Sequence, residues 1–148
     1  MIPVAFDYER ATSTEQALSL LAEHGDEAKL MAGGHSLLPL MKYRLAAPAV
    51  LIDIGRLEEL SYVRDEGEEL AIGALTRHCE VEQNDLVRSQ VGLLAAATSQ
   101  VGDPQVRHRG TIGGAMAHGD PASDLPAALI ALRGSLVIDG PSGRRQVE

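Results

Sequence analysis

The chain has 148 residues, 45% of them apolar and 23% charged, a balance that suits one globular domain or two small lobes and excludes wholesale disorder. Thirteen basic side chains stand against 21 acidic ones, a formal charge of −8 with no basic stripe to reverse it. With only three tyrosines and one phenylalanine for stacking, nucleic-acid binding is disfavoured. No apolar run approaches the ~20 residues of a membrane span, and MIPVAFDYERAT lacks the basic start and apolar core of a secretory signal. The expected location is cytoplasmic, either free or peripheral to the inner face of the membrane. Cys79 is the single cysteine, so there is no internal disulfide and no cysteine-based zinc site, and it reads as a small buried hydrophobe.

STEQALSLLAEHG predicts the first helix, with Ser13 as N-cap, Gln16 three residues on, apolar Ala17, Leu18, Leu21 and Ala22 at helical spacing, and Gly25 as the stop. AKLMAGG and VLIDIG are short apolar runs of strand length, and helix plus strands suggest a small βαβ-like lobe. That lobe is expected to span 1–58, and a second α+β lobe 59–148. In the second, SYVRD-EGE-ELAIGAL predicts a hairpin, and DLVRSQVGLLAAATSQVG predicts one helix capped by Asp85 and closed by Gly102. A polar loop (DPQVRHRG), a glycine segment (TIGGAMAHGDPASD), a helix (LPAALIALRG) and a strand (SLVIDG) follow. GPSGRRQVE opens what should be a partner strand, and the expectation is of a fold truncated there.

Two glycine segments carry the chemistry. AGGHS and TIGG each follow a run that should be well packed, and each sets a hydroxyl, Ser36 or Thr111, beside paired glycines. Adjacent N–H groups without Cβ cover can turn toward one anion, and a nearby hydroxyl adds a donor. Such a nest holds a diphosphate by backbone dipoles alone, which matters in a chain of net charge −8. Neither segment is a P-loop, and neither has the G-x-G-x-x-G pattern opening a helix, so a dinucleotide would be bound in another kind of fold. An isolated Gly-Gly is more often an ordinary turn.

AGGHSLLPLMKYRLAAP, LIDIGRLEEL, IGALTRHCEVE and RGTIGGAMAHGDPASDLPAALIAL, in this order, resemble the FAD-binding medium subunit of molybdenum hydroxylases. The likeness is greatest to the carbon monoxide dehydrogenase medium subunit, within the group that includes xanthine and aldehyde dehydrogenase relatives. It runs from about residue 3 to the last residue and covers roughly the first half of such a subunit. The resemblance implies an α+β, two-lobed PCMH-type FAD-binding fold, shared with vanillyl-alcohol oxidase, incomplete at the C-terminus and holding non-covalent FAD between the lobes. It further implies that the main chain of Ala32, Gly33, Gly34, His35 and Ser36, with Leu37 beside them, wraps the diphosphate. Thr111, Ile112, Gly113, Gly114 and Ala115 would complete the cradle, and Asp124 would meet ribose or ribityl hydroxyls. Val101 would lie near the nucleotide end. Many relatives carry Asn or Asp where this chain has Ala115, so a side-chain hydrogen bond made there is absent.

By the same resemblance the chain is an oxidoreductase component. It relays electrons from iron–sulfur clusters to NAD, a quinone or another acceptor, with no catalytic side chain of its own and no metal site. The 2Fe-2S clusters and the molybdenum cofactor would sit in partner subunits, an iron–sulfur small subunit and a molybdenum large subunit. Rival readings are a flavin-free interaction fragment of such a subunit and a metal-dependent hydrolase built on His118 and Asp120. Asp124 also reads as the N-cap of LPAALIALRG with Pro126 in its first turn. His35 reads as a positioning or solvent-facing group, and Lys42 and Arg44 as surface cations.

Overall fold

DYER, with a single aromatic among charged residues, carries no apolar alternation, yet it forms β1 (Asp7–Arg10). In the computed structural model, which describes residues 1–148, the chain divides into two compact units, Met1–Leu57 and Glu58–Glu148. The first unit continues with α1 (Thr14–His24), β2 (Ala28–Met31), α2 (Leu37–Lys42) and β3 (Val50–Asp53). β3 is the central strand, with β1 and β2 parallel to it on either side. As an outer strand β1 can be largely exposed, which is why its sequence looks unlike a strand.

VLID, by contrast, is a continuous apolar run because the middle strand of a parallel sheet is covered on both faces. Val50 and Ile52 pack with Ala17 and Leu20 of α1 and with Ala11 and Ala28. Leu51, on the opposite face of the same strand, is also buried, as is Met41 of α2. The α1 start is as expected at its core: the Ser13 hydroxyl accepts the Gln16 amide at 3.2 Å. The Gln16 side chain reaches back one residue further, accepting from both the amide and the hydroxyl of Thr12 at 2.7 Å. Gly25, at φ 55°, ends the helix. His24 then ties that end to β1 through Glu9 at 2.9 Å.

The second unit opens with the predicted hairpin, β4 (Val63–Asp65) and β5 (Leu70–Ile72). Six short helices follow: α3 (His78–Gln83), α4 (Asp85–Gln90), α5 (Gly92–Ser99), α6 (Pro104–Arg107), α7 (Ile112–His118) and α8 (Asp124–Ala131). Their core gathers Val81, Val87, Leu94, Ala95, Ile112 and Leu125, with Val101 packed at its margin. The unit ends in β6 (Leu136–Gly140) paired antiparallel with β7 (Gly143–Val147), so SLVIDG has a partner strand. Cys79 is half-buried on α3. No helix is long and apolar enough to cross a membrane.

Several expectations for this unit need correction. The single helix over 85–102 is two helices, broken at Val91 (φ −133°, ψ 48°), where a β-branched residue meets Gly92 and both lower helix propensity. Asn84 caps α4, its Oδ1 accepting the amides of Leu86 and Val87, while Asp85 is the first helical residue. DPQVRHRG is not loop throughout, because Asp103 caps α6 with Pro104 at its start. TIGGAMAH is likewise helical, with Thr111 as N-cap and both glycines in the first turn of α7. Asp124 is the first residue of α8 and Ser123 its cap residue, so Asp124 is not the N-cap.

Candidate functional site

The first glycine segment leaves the carboxyl end of β2 and enters α2. Six consecutive residues, Ala32 to Leu37, have no acceptor within the chain for their backbone N–H groups. Their carbonyls are partly engaged: Gly34 accepts from Leu38 at 3.0 Å and Ser36 from Leu40 at 3.3 Å. Gly34 adopts φ +76°, a left-handed conformation that suits glycine, and a Cβ there would stand 2.9 Å from Leu38 Cδ1. The Ser36 hydroxyl makes no capping bond to α2. His35 folds its ring back, Nδ1–H donating to the Gly33 carbonyl at 3.1 Å, and its exposed side chain serves the loop's own shape. A row of unpartnered amides with a hydroxyl beside it matches what an anionic oxygen cluster requires.

The second segment is built differently. The Ile112 amide donates to Thr76 O at 3.0 Å, Gly113 to Ala74 O at 2.9 Å, and Ala115 to Thr111 O at 3.0 Å. The Gly114 amide donates to the Thr111 hydroxyl at 3.2 Å. All four donors are therefore engaged inside the unit. The Ile112 side chain lies in the core, and the buried Thr111 caps α7. Gly113 is small for a packing reason, since a Cβ on it would lie 2.6 Å from the Ala74 Cβ and 2.7 Å from the Ala74 carbonyl. Ala115 is half-buried against the same core.

Asp124 is exposed at the start of α8, where it borders a shallow groove between α5 and α8 with Leu93, Ala96 and Ala127. His118 and Asp120 are also exposed, and no three His, Cys, Asp or Glu side chains converge to hold a metal ion. Lys42 and Arg44 are solvent-facing.

One group near the first segment escaped the sequence reading. Asp53, at the carboxyl end of β3, accepts from the Tyr8 hydroxyl at 2.5 Å and from the Gly55 amide at 2.8 Å. The signal was present in LIDIG: an Asp two residues before a Gly is the pattern of a side chain closing its own turn.

The family described as the FAD binding domain in molybdopterin dehydrogenase matches residues 4–148. The chain belongs to that family. It is 49% identical over 147 residues to the carbon monoxide dehydrogenase medium chain of Hydrogenophaga pseudoflava, covering 99% of this chain and 51% of that one. It is 45% identical to the glyceraldehyde dehydrogenase medium chain of Sulfolobus acidocaldarius, covering 100% and 52%. Among solved structures, carbon monoxide dehydrogenase from Hydrogenophaga pseudoflava, in a form lacking the Mo-pyranopterin moiety of its molybdenum cofactor, superposes with a TM-score of 0.97 at 50% identity, over 99% of this chain and 51% of that one. The fold is thus the α+β FAD-binding fold of this family, and the chain spans about half the length of the curated relatives it matches.

Proposed function

We propose that this chain works as the flavin-binding segment of the medium subunit of a molybdenum hydroxylase, holding the FAD diphosphate on the amides of Ala32, Gly33, Gly34, His35, Ser36 and Leu37. The observation that carries the proposal is that run of six N–H groups without acceptors. Buried or half-buried amides left unpaired carry a desolvation cost, and an anion that accepts from several of them offsets it. Neutral donors also suit a chain whose overall charge would repel a diphosphate from a distance.

The second segment plays a supporting part in this reading. With the amides of Ile112 to Ala115 engaged internally, its role is contact through the surface of Gly113, Gly114 and Ala115, held in shape by Thr111 and Ile112. The exposed Asp124 carboxylate is free to accept from sugar hydroxyls. The chemistry supplied when FAD is bound is electron relay, from an iron–sulfur subunit toward NAD, a quinone or another acceptor, in an assembly that also holds a molybdenum subunit. No side chain of this chain is assigned a proton-transfer or nucleophilic role.

The test is a titration of the purified chain with FAD, read by the visible spectrum, with bound nucleotide released by heat and identified by mass. Saturable FAD binding that is lost in Gly34→Val supports the cradle. Unchanged binding in Gly34→Val would remove it. A second reading is a flavin-free interaction fragment of such a subunit. A colourless protein that takes up no added FAD would favour that second reading.

A further inference from the structure

The carboxyl end of the parallel sheet sets three residues side by side: Arg10 on β1, Asp53 on β3 and Met31 on β2 are in register. The amide run begins one residue after Met31. Two contacts join that run's start to the turn after β3. The Ile54 amide donates to Met31 O at 3.0 Å. The Ala32 carbonyl faces Gly55 so closely that a Cβ placed on Gly55 would lie 3.2 Å from it. The same imagined Cβ would lie 3.1 Å from Asp53 Oδ1.

A trans peptide is planar, with its C=O and N–H pointing in opposite directions. Anchoring Met31 O on Ile54 therefore aims the Ala32 N–H away from β3, and setting Ala32 O against Gly55 aims the Gly33 N–H away from that turn. The direction of the first two donors is thus fixed by residues 54 and 55. The turn itself is closed by Asp53, whose Oδ1 accepts the Gly55 amide at 2.8 Å while Oδ2 accepts the Tyr8 hydroxyl at 2.5 Å. Tyr8 holds the carboxylate on one side, so its other oxygen is placed for Gly55.

We infer that Asp53 is a positioning residue for the anion cradle: by closing the turn that holds Ile54 and Gly55 it sets the orientation of the Ala32 amide through Ile54 and of the Gly33 amide through Gly55, with Tyr8 locking its carboxylate. The inference rests on the reading of Ala32–Leu37 as the FAD diphosphate site and assigns the control of that site to a residue that does not itself touch the ligand. The contacts that carry this role are the hydrogen bonds from the Tyr8 hydroxyl and the Gly55 amide.

The experiment compares the whole 148-residue chain with Asp53→Ala, Asp53→Asn and Gly55→Ala. Three quantities are measured: FAD affinity, the thermal midpoint, and the 15N–1H resonances of Ala32 and Gly33 during titration with inorganic pyrophosphate. Asp53→Ala is expected to weaken FAD binding by on the order of tenfold, the range seen when an outer residue that orients a binding group is removed. It should also shrink the pyrophosphate response of Ala32 and Gly33. Asp53→Asn keeps an oxygen for the Gly55 amide and is expected to restore most of both, a rescue that a purely electrostatic role would not give. Should Asp53→Ala lower the thermal midpoint sharply, Gly55→Ala decides, because it crowds Ala32 O and Asp53 Oδ1 while keeping the carboxylate and the Tyr8 hydroxyl in the chain. Wild-type FAD binding and amide responses in both Asp53→Ala and Gly55→Ala would overturn this inference and leave the cradle standing. A wild-type chain that binds neither FAD nor pyrophosphate at these amides would overturn both.

Discussion

The Thr111 hydroxyl accepts the Gly114 amide at 3.2 Å, and a Cβ built on Gly114 would come within 2.8 Å of that same oxygen. Gly114 therefore leaves room for its own cap. Gly114→Ala is expected to destabilise the chain by about 1 kcal/mol, the scale of a lost helix cap, and Thr111→Ala by a similar amount. The two should not add. With the hydroxyl already gone, alanine at 114 regains up to about 1 kcal/mol of helix propensity over glycine, so Gly114→Ala becomes stabilising in the Thr111→Ala background. Chemical denaturation of the four proteins reads this change of sign directly.

Gly113 offers a separate test, because its neighbour is another element. A Cβ there meets Ala74 through three atoms, all within 2.8 Å. Gly113→Ala is expected to cost about 1–3 kcal/mol by overpacking. Adding Ala74→Gly removes one of the three clashes, the Cβ, and should recover part of the loss. Full additivity of the two changes would contradict the contact.

At the start of α4 two adjacent residues compete for the capping role. Asn84 accepts two amides, whereas Asp85 sits inside the first turn. Asn84→Ala should lower stability by about 0.5–2 kcal/mol. Asp85→Ala removes only a favourable charge near the helix start, worth about 0.3–1 kcal/mol at low salt, and its effect should fade as salt is raised. Equal, salt-independent losses would argue against this assignment.

Asp65 sets an acid limit on the β4–β5 hairpin. Its carboxyl is held below the usual value of 3.8, first by the Gly67 amide and then by the Gln90 side chain, against a small opposing effect of burial. A depressed folded-state value means that the stabilisation is present above pH 3.8 and is lost as pH falls through the lower value of the folded state. Carboxyl NMR titration should show Asp65 titrating below the ordinary value of 3.8, and Asp65→Asn should flatten this part of the acid unfolding curve. An Asp65 that titrates at the ordinary value would refute it.

The sequence revealed most where signals were local. Ser13, the apolar spacing and Gly25 were enough for α1, and Asp65 to Gly67 lies in a turn that EGE announced. β1 was invisible because an exposed outer strand has no reason to alternate, and Val91-Gly92 divided a run whose apolar spacing continued across the break. The site divides the same way. Paired glycines were readable as candidate cradles, but whether their amides are free depends on partners far along the chain. Gly113 and Ile112 donate to Ala74 and Thr76, on a segment no local pattern links to them. Ala32 to Leu37 have no such partner. Two segments alike on paper thus differ in the one property that anion binding needs.

The order of strands in the first unit also has a consequence in time. β1 leaves the ribosome before its partner β3, whose Val50 pairs with Asp7. Until that stretch is synthesised, neither β1 nor β2 has a neighbour, and the closure of both loops falls to the same late event. The nascent first unit should therefore stay protease-sensitive until β3 is exposed, and then gain its sheet in a single step. By contrast β6 and β7, separated by two residues, can pair almost as soon as they appear.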